Sequence, residues 1–177
     1  EVNPEKEKYN SRNVLFVGPN AERKGAILVV KSAPSILKKF PDATFTIIGS
    51  SSTLYKRKMK SLVNNYSLQD KFEFIDHIPQ EQLLRYYKKA NVFVMPSLME
   101  AFGQVYLEAM ATKTPVIGAN VGGVSDIITN DIGYLVPPKN SNAIADKIID
   151  VFSDNNRAKM LGENGRKRVK ENFSIEK

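Results

Sequence analysis

Asn91-Val-Phe-Val-Met95, Pro96-Ser-Leu-Met-Glu100-Ala-Phe-Gly103, Gln104-Val-Tyr-Leu-Glu108-Ala-Met-Ala111 and Pro115-Val-Ile-Gly118 follow one another closely. The first reads as a short buried strand stopped by proline, the second as a loop, the third as a helix, and the fourth as another buried strand. Two apolar strands joined by a helix lie parallel in one sheet. The alternation continues in both directions. Upstream, Asn13–Gly18, Thr44–Gly49 and Phe72–Ile75 read as strands. Between them run helical stripes over Ala26–Phe40, Leu54–Tyr66 and Glu81–Ala90, the first expected to kink or divide at Pro34. Downstream come a Gly122-Gly123 turn, a short helix through Ile128, a strand at Gly133–Val136, and helices over Asn142–Phe152 and Asn155–Val169. Short apolar strands alternating with amphipathic helices predict an α/β fold: a Rossmann-like, doubly wound parallel sheet of about six strands, covered on both faces. Glu1 to Arg12 is polar and reads as a linker, leaving 13–177 as one domain.

Composition narrows the chemistry. The chain has 177 residues, with 42% hydrophobic and 25% charged residues, which excludes wholesale disorder. It has no Cys and one His, His77, so disulfides, thiolate metal sites and multi-histidine zinc sites are excluded. No metal site is expected. No stretch approaches the ~20 apolar residues that span a bilayer. The opening Glu-Val-Asn-Pro lacks the basic start and apolar run of a secretory leader. A formal charge of +7 suits an anionic partner such as nucleic acid, a membrane surface or a phosphorylated small molecule. The denser basic stretches, Lys56–Lys60 and Arg166–Arg168, have helical spacing and read first as solvated helix faces. No aromatic-studded basic strand of the base-stacking kind is present.

A doubly wound sheet binds ligands beyond the carboxyl ends of its strands, so the loops after strands carry the candidates. Gly18-Pro-Asn-Ala-Glu-Arg-Lys24-Gly25 is no Gly-x-Gly-x-x-Gly fingerprint. It places Arg23 and Lys24 at a helix start, either as phosphate contacts or as solvated charges. In the loop 96–103, Gly103 allows close backbone approach as a helix begins, a second anion cradle. Glu100 either accepts hydrogen bonds from a ligand or forms a capping box with Ser97. Glu108, between Leu107 and Ala109-Met110, lies on a helix packed against the sheet, where a charge needs a partner or a ligand. Gly122-Gly123 is either a phosphate nest or a helix-start turn. His77 reads as an ordinary loop histidine.

These residues together resemble family 4 of the retaining glycosyltransferases. The resemblance rests on Pro96-Ser97, Glu100 and Glu108 separated by seven residues, Phe102-Gly103, Glu108-Ala-Met-Ala111, Pro115-Val-Ile117 and Gly122-Gly123. Gly18 to Gly25, Ile78-Pro79 and Gly133-Tyr-Leu-Val-Pro137 match as well, so it extends over nearly all of the chain after residue 12. It implies the C-terminal, donor-binding half of a two-domain GT-B enzyme, with the acceptor bound by an N-terminal half. It also implies transfer of a hexosyl group with retention from a UDP- or GDP-linked sugar, with a lean to mannose, to a glycan or lipid acceptor. Lys24 would neutralise the diphosphate and Glu108 would hold the ribose hydroxyls. Gly18, Arg23, Ala101, Phe102, Gly103, Gln104 and Val105 would complete the donor site, with Glu100 beside the donor sugar. The substrate nucleotide sugar would be needed but no cofactor, the site would be cytoplasmic at or near the inner membrane face, and nucleic acid would not be a partner. The sequence departs from the family pattern at Pro19, where Arg is usual; at Asp76, where Gly is usual; and at Asp126, where Glu is usual. Arg23 stands near enough to compensate for the first. Two alternatives share the fold: a nucleotide-sugar-binding module inactive without its acceptor half, and a sugar-nucleotide epimerase or sugar-phosphate synthase, expected to lack this motif set.

Overall fold

The computed structural model describes residues 8–18 and 21–173. Pro19 therefore lies outside the described residues, as do the first seven positions of the expected linker. In chain order the elements are β1 (Asn13–Val17), α1 (Ala26–Lys39), β2 (Thr44–Ile48), α2 (Thr53–Asn65), β3 (Phe72–Ile75), α3 (Gln80–Lys89), β4 (Val92–Met95), α4 (Gln104–Ala111), β5 (Val116–Ala119), α5 (Val124–Ile127), β6 (Gly133–Val136), α6 (Ser141–Ser153) and α7 (Asn155–Asn172).

All six strands pair in parallel in the order β3-β2-β1-β4-β5-β6. The doubly wound sheet is as the alternation predicts. Its centre is dry: Val14, Leu15, Phe16, Val92, Phe93 and Val94 are fully buried, because a parallel strand covered on both faces meets no water. The chain winds outward from β1 through β2 to β3, then crosses to β4 and winds the other way. The loops after β1 and β4 therefore part company, and the crevice between them is the topological switch point.

Helix packing fixes those loops. α1 lies against α6, with Phe40 meeting Phe152 edge-on at 5.5 Å between centroids, and α7 lies along α4. Of the kink or division expected at Pro34, the division does not occur. Pro34 sits on the exposed side of one unbroken helix, whose opposite side buries Val29, Val30, Ala33 and Ile36. That burial offsets the lost hydrogen bond.

Residues 8–12 are not the free linker that their polarity suggests. Lys8 and Tyr9 are buried. The Lys8 ammonium donates to Tyr87 O at 3.2 Å, Thr112 O at 2.8 Å and Thr114 Oγ1 at 2.7 Å, taking up carbonyls at the carboxyl ends of α3 and α4, where a cation is favoured. Among the described residues no helix is long and apolar enough to cross a membrane.

Candidate active site

Three loops interlock by backbone contact at the carboxyl edge of the sheet. Gly25, at φ 79°, precedes α1, and a Cβ there would lie 2.2 Å from Pro96 O. Leu98 N donates to Arg23 O at 3.0 Å, so the loop after β1 and the loop after β4 are tied across the switch point. Gly122, at φ 51°, would bring a Cβ within 1.9 Å of Glu100 O, and Gly123 N donates to the same oxygen at 3.3 Å. The Gly-Gly pair is thus a close-approach turn beneath residues 100–101.

Lys24 and Glu100 come together inside this knot. The Lys24 ammonium forms an ion pair with Glu100 Oε2, and the two side chains are only 14% and 9% exposed. Ser97 Oγ stands 3.5 Å from the same oxygen. No capping box exists, since the helix begins at Gln104 and is capped by Gly103. Below the pair, Tyr106 donates to Met95 O; burial, with the Glu100 charge adding to it, pushes its phenol well above the ordinary range.

The two helix starts differ. At α1, Ala26 N is taken by Ala21 O, Ile27 N by Tyr55 Oη at 3.1 Å, and Leu28 N by Gly25 O. The anion cradle expected there is closed, so Lys24 acts through its side chain. At α4, Gly103 sits at φ 82°. Among the described residues no acceptor serves the N–H groups of Gly103, Gln104 and Val105. Those open donors form the positive end of the helix dipole and suit an anion.

Glu108 lies one turn into α4, away from the Lys24–Glu100 pair, and its partners come from α3. Tyr87 donates to Oε2 at 2.9 Å and Gln80 approaches Oε1 at 3.4 Å. Burial, then the Glu108 charge, pushes the Tyr87 phenol well above the ordinary range. The other candidates line the rim. Gly18 N donates to Ile48 O at 2.9 Å. Arg23, Ala101 and Phe102 are exposed, with Phe102 edge-on to Phe173 at 6.1 Å. His77 is exposed, and Asp76 pairs with Lys56 at 2.7 Å. Asp126 offers its backbone oxygen to Arg168 at 2.6 Å.

Tyr87 and Gln80 carry no motif and are absent from the sequence reading. A signal was present in the i, i+4 buried pair Leu83 and Tyr87, which turns one side of α3 inward. A groove of about 1020 Å³ lies at the other end of the sheet, lined by Asn13, Thr44, Thr46, Glu73 and Arg85. It belongs to the amino ends of β1 and β2, outside the crevice where this topology places ligands. Among the described residues no group of three His, Asp or Glu side chains converges as a metal site would require.

The crevice thus offers a near-buried lysine, unfilled N–H donors and a hydroxyl-accepting carboxylate. The family model of "Glycosyl transferases group 1" matches residues 1–168. A capsular polysaccharide biosynthesis glycosyltransferase of Staphylococcus aureus is 32% identical over 167 residues, 90% of this chain and 41% of that protein. A sucrose-phosphate synthase from Thermosynechococcus elongatus superposes with a TM-score of 0.85 at 37% identity, covering 95% of this chain and 43% of that one. A sugar-phosphate synthase is therefore among the proteins that this chain resembles. The C-terminal domain of a group 1 glycosyl transferase from Francisella tularensis gives a TM-score of 0.87 at 29% identity, covering 99% of this chain and 95% of that domain. The chain spans less than half the length of the curated relatives it matches.

Proposed function

As the chain belongs to the group 1 glycosyl transferases, we propose that it is the donor-binding, C-terminal half of a GT-B enzyme of the family 4 type, one that transfers a hexosyl group with retention. The observation that carries this reading is the placement of Lys24 and the open N–H groups of Gly103, Gln104 and Val105 in one crevice at the switch point. A nucleoside diphosphate is the leaving group such a site suits: the ammonium and the helix start meet the charge that grows on phosphate as the glycosidic C–O bond breaks. Glu108 accepts from the ribose hydroxyls. Glu100 borders the donor sugar and is the counter-ion of Lys24 until the donor arrives. Phe102 and Arg23, on the rim, border the donor as it enters. The acceptor hydroxyl, supplied with an N-terminal half, bonds the anomeric carbon with its configuration kept and gives its proton to the departing diphosphate. No metal is needed, because protein groups supply the positive charge.

GDP-mannose is the donor to test first, then UDP-glucose and UDP-N-acetylglucosamine; the acceptor is a glycan or a lipid-linked sugar at the cytoplasmic membrane face. Calorimetric titration of the chain with UDP, GDP, ADP and their hexose conjugates tests the reading. One base is expected to bind, and Lys24→Ala and Glu108→Ala each to weaken it about ten- to a hundredfold, the loss of a charged hydrogen bond worth roughly 1.5–3 kcal/mol. Binding that ignores both substitutions would overturn it. Binding without transfer is the result expected of this half alone.

A further inference from the structure

The Glu108 carboxylate is held by a side chain that cannot easily move. Tyr87 is 2% exposed on the inner side of α3. Its ring lies 5.7 Å from that of Phe93, which in turn meets Tyr106 edge-on at 5.7 Å. Its backbone is pinned as well, since its carbonyl accepts from Thr114 Oγ1 at 2.8 Å and from Lys8 Nζ at 3.2 Å. A phenol fixed at both ends does not follow a wandering carboxylate, so the carboxylate is oriented by the phenol. The two carboxylate oxygens are consequently unlike. Oε2 is committed to the Tyr87 hydroxyl at 2.9 Å. Among the described residues Oε1 has only the exposed Gln80 amide at 3.4 Å, at the margin of a hydrogen bond and readily replaced by a better donor.

We infer that Tyr87 is a positioning residue of the donor site: by holding Oε2 it turns Oε1 toward the ribose of a bound nucleoside diphosphate, with Gln80 giving way to the sugar hydroxyls. The inference rests on the reading of Glu108 as the ribose acceptor. Without the phenol hydroxyl the glutamate regains its rotamer freedom, and its preference for a ribose over a deoxyribose fades. Phe93, backed by Tyr106, keeps the ring in place whether or not it carries oxygen, so Tyr87→Phe removes the hydrogen bond and leaves the packing.

The test is calorimetric titration of wild type, Tyr87→Phe, Gln80→Ala and Glu108→Gln with UDP and GDP and, for whichever binds more tightly, with its 2′-deoxy counterpart. Wild type is expected to prefer the ribonucleotide about tenfold. Tyr87→Phe brings that ratio close to one by weakening the ribonucleotide alone, and Gln80→Ala changes it by about twofold or less. A melting midpoint measured beside each titration separates a structural effect, which would lower the midpoint and leave the ratio intact. A wild-type ratio in Tyr87→Phe, with the ratio lost in Glu108→Gln, overturns the inference and leaves the ribose reading standing. The same holds if Gln80→Ala alone collapses the ratio. No preference in wild type, or an unchanged preference in Glu108→Gln, overturns the ribose reading and the inference with it.

Discussion

Glu100 and Glu108 look like twins in the sequence, two carboxylates framing Phe102-Gly103 and the start of α4, yet the fold gives them opposite company. Glu100 sits on the loop after β4, 9% exposed, against the ammonium of Lys24. Glu108 sits on the helix that the loop leads into, against a neutral phenol and a neutral amide. In a partly desolvated pocket an ion pair is strong enough that each member cancels much of the other's field. Glu100 and Lys24 are therefore spent on each other until an anion competes for the lysine. A phenol cancels nothing, and Glu108 keeps its charge for hydroxyl donors. Equal residue types at a fixed spacing thus encode a counter-ion and an acceptor, and the difference lies in the neighbours.

The largest effect is expected where the Glu100 side of this contrast is anchored. Gly25 lies at φ 79° with no room for a Cβ before Pro96 O at 2.2 Å. Gly25→Ala must part the two loops, at a cost of about 2–4 kcal/mol from strain and displaced backbone. Urea unfolding should show that loss, and nucleotide binding should fall with it, while the Tyr87–Glu108 contact, anchored on α3, stays. A cost under about 1 kcal/mol would mean that the loops are not locked.

A smaller effect separates the two carboxylates by sign. Glu100→Gln releases Lys24 from its counter-ion, so the nucleoside diphosphate binds about three- to tenfold more tightly, a gain near 1 kcal/mol. Transfer in the joined enzyme falls at the same time. Glu108→Gln moves affinity the other way. Titration of both variants at low and high salt decides the matter: changes of the same sign would erase the distinction drawn between them.

Much of this was legible beforehand, for reasons that can be named. The sheet followed from β4, whose Val-Phe-Val-Met run is apolar on both sides because both sides are covered. Lys24 and Glu100 were legible as members of one crevice because topology alone brings the loops after β1 and β4 together. Their pairing with each other was not, since it depends on the Gly25–Pro96 and Gly122–Glu100 contacts, which are tertiary. The closed start of α1 was hidden for the same reason: the Tyr55 hydroxyl that fills it comes from α2. Pro34 does not divide α1 because propensity speaks for an isolated helix, whereas α1 is held by the core it covers. Lys8 misled because a polar string conceals which ammonium finds three oxygens of the fold to bond.

The smallest expected effect belongs to an ion pair that lacks the burial of the Lys24 pair. Arg12 meets both oxygens of Asp42 at 2.6 Å, with the two side chains 37% and 59% exposed. The Arg12 hydrogen bond, outweighing a slight desolvation, holds the Asp42 carboxyl below its ordinary range. A depressed carboxyl favours the folded state while it is ionised, so its contribution is present at neutral pH and is lost as pH falls below about 4. Wild type should then melt only about 1 °C above Asp42→Asn at pH 7, and that gap should close as acid protonates the carboxylate. Salt should shrink the gap at pH 7, since water reaches this pair, and should leave the Lys24–Glu100 coupling nearly untouched. A gap of several degrees that survives salt would mean that exposure does not separate the two pairs, and that the partners of Glu100 and Glu108 cannot be ranked by burial.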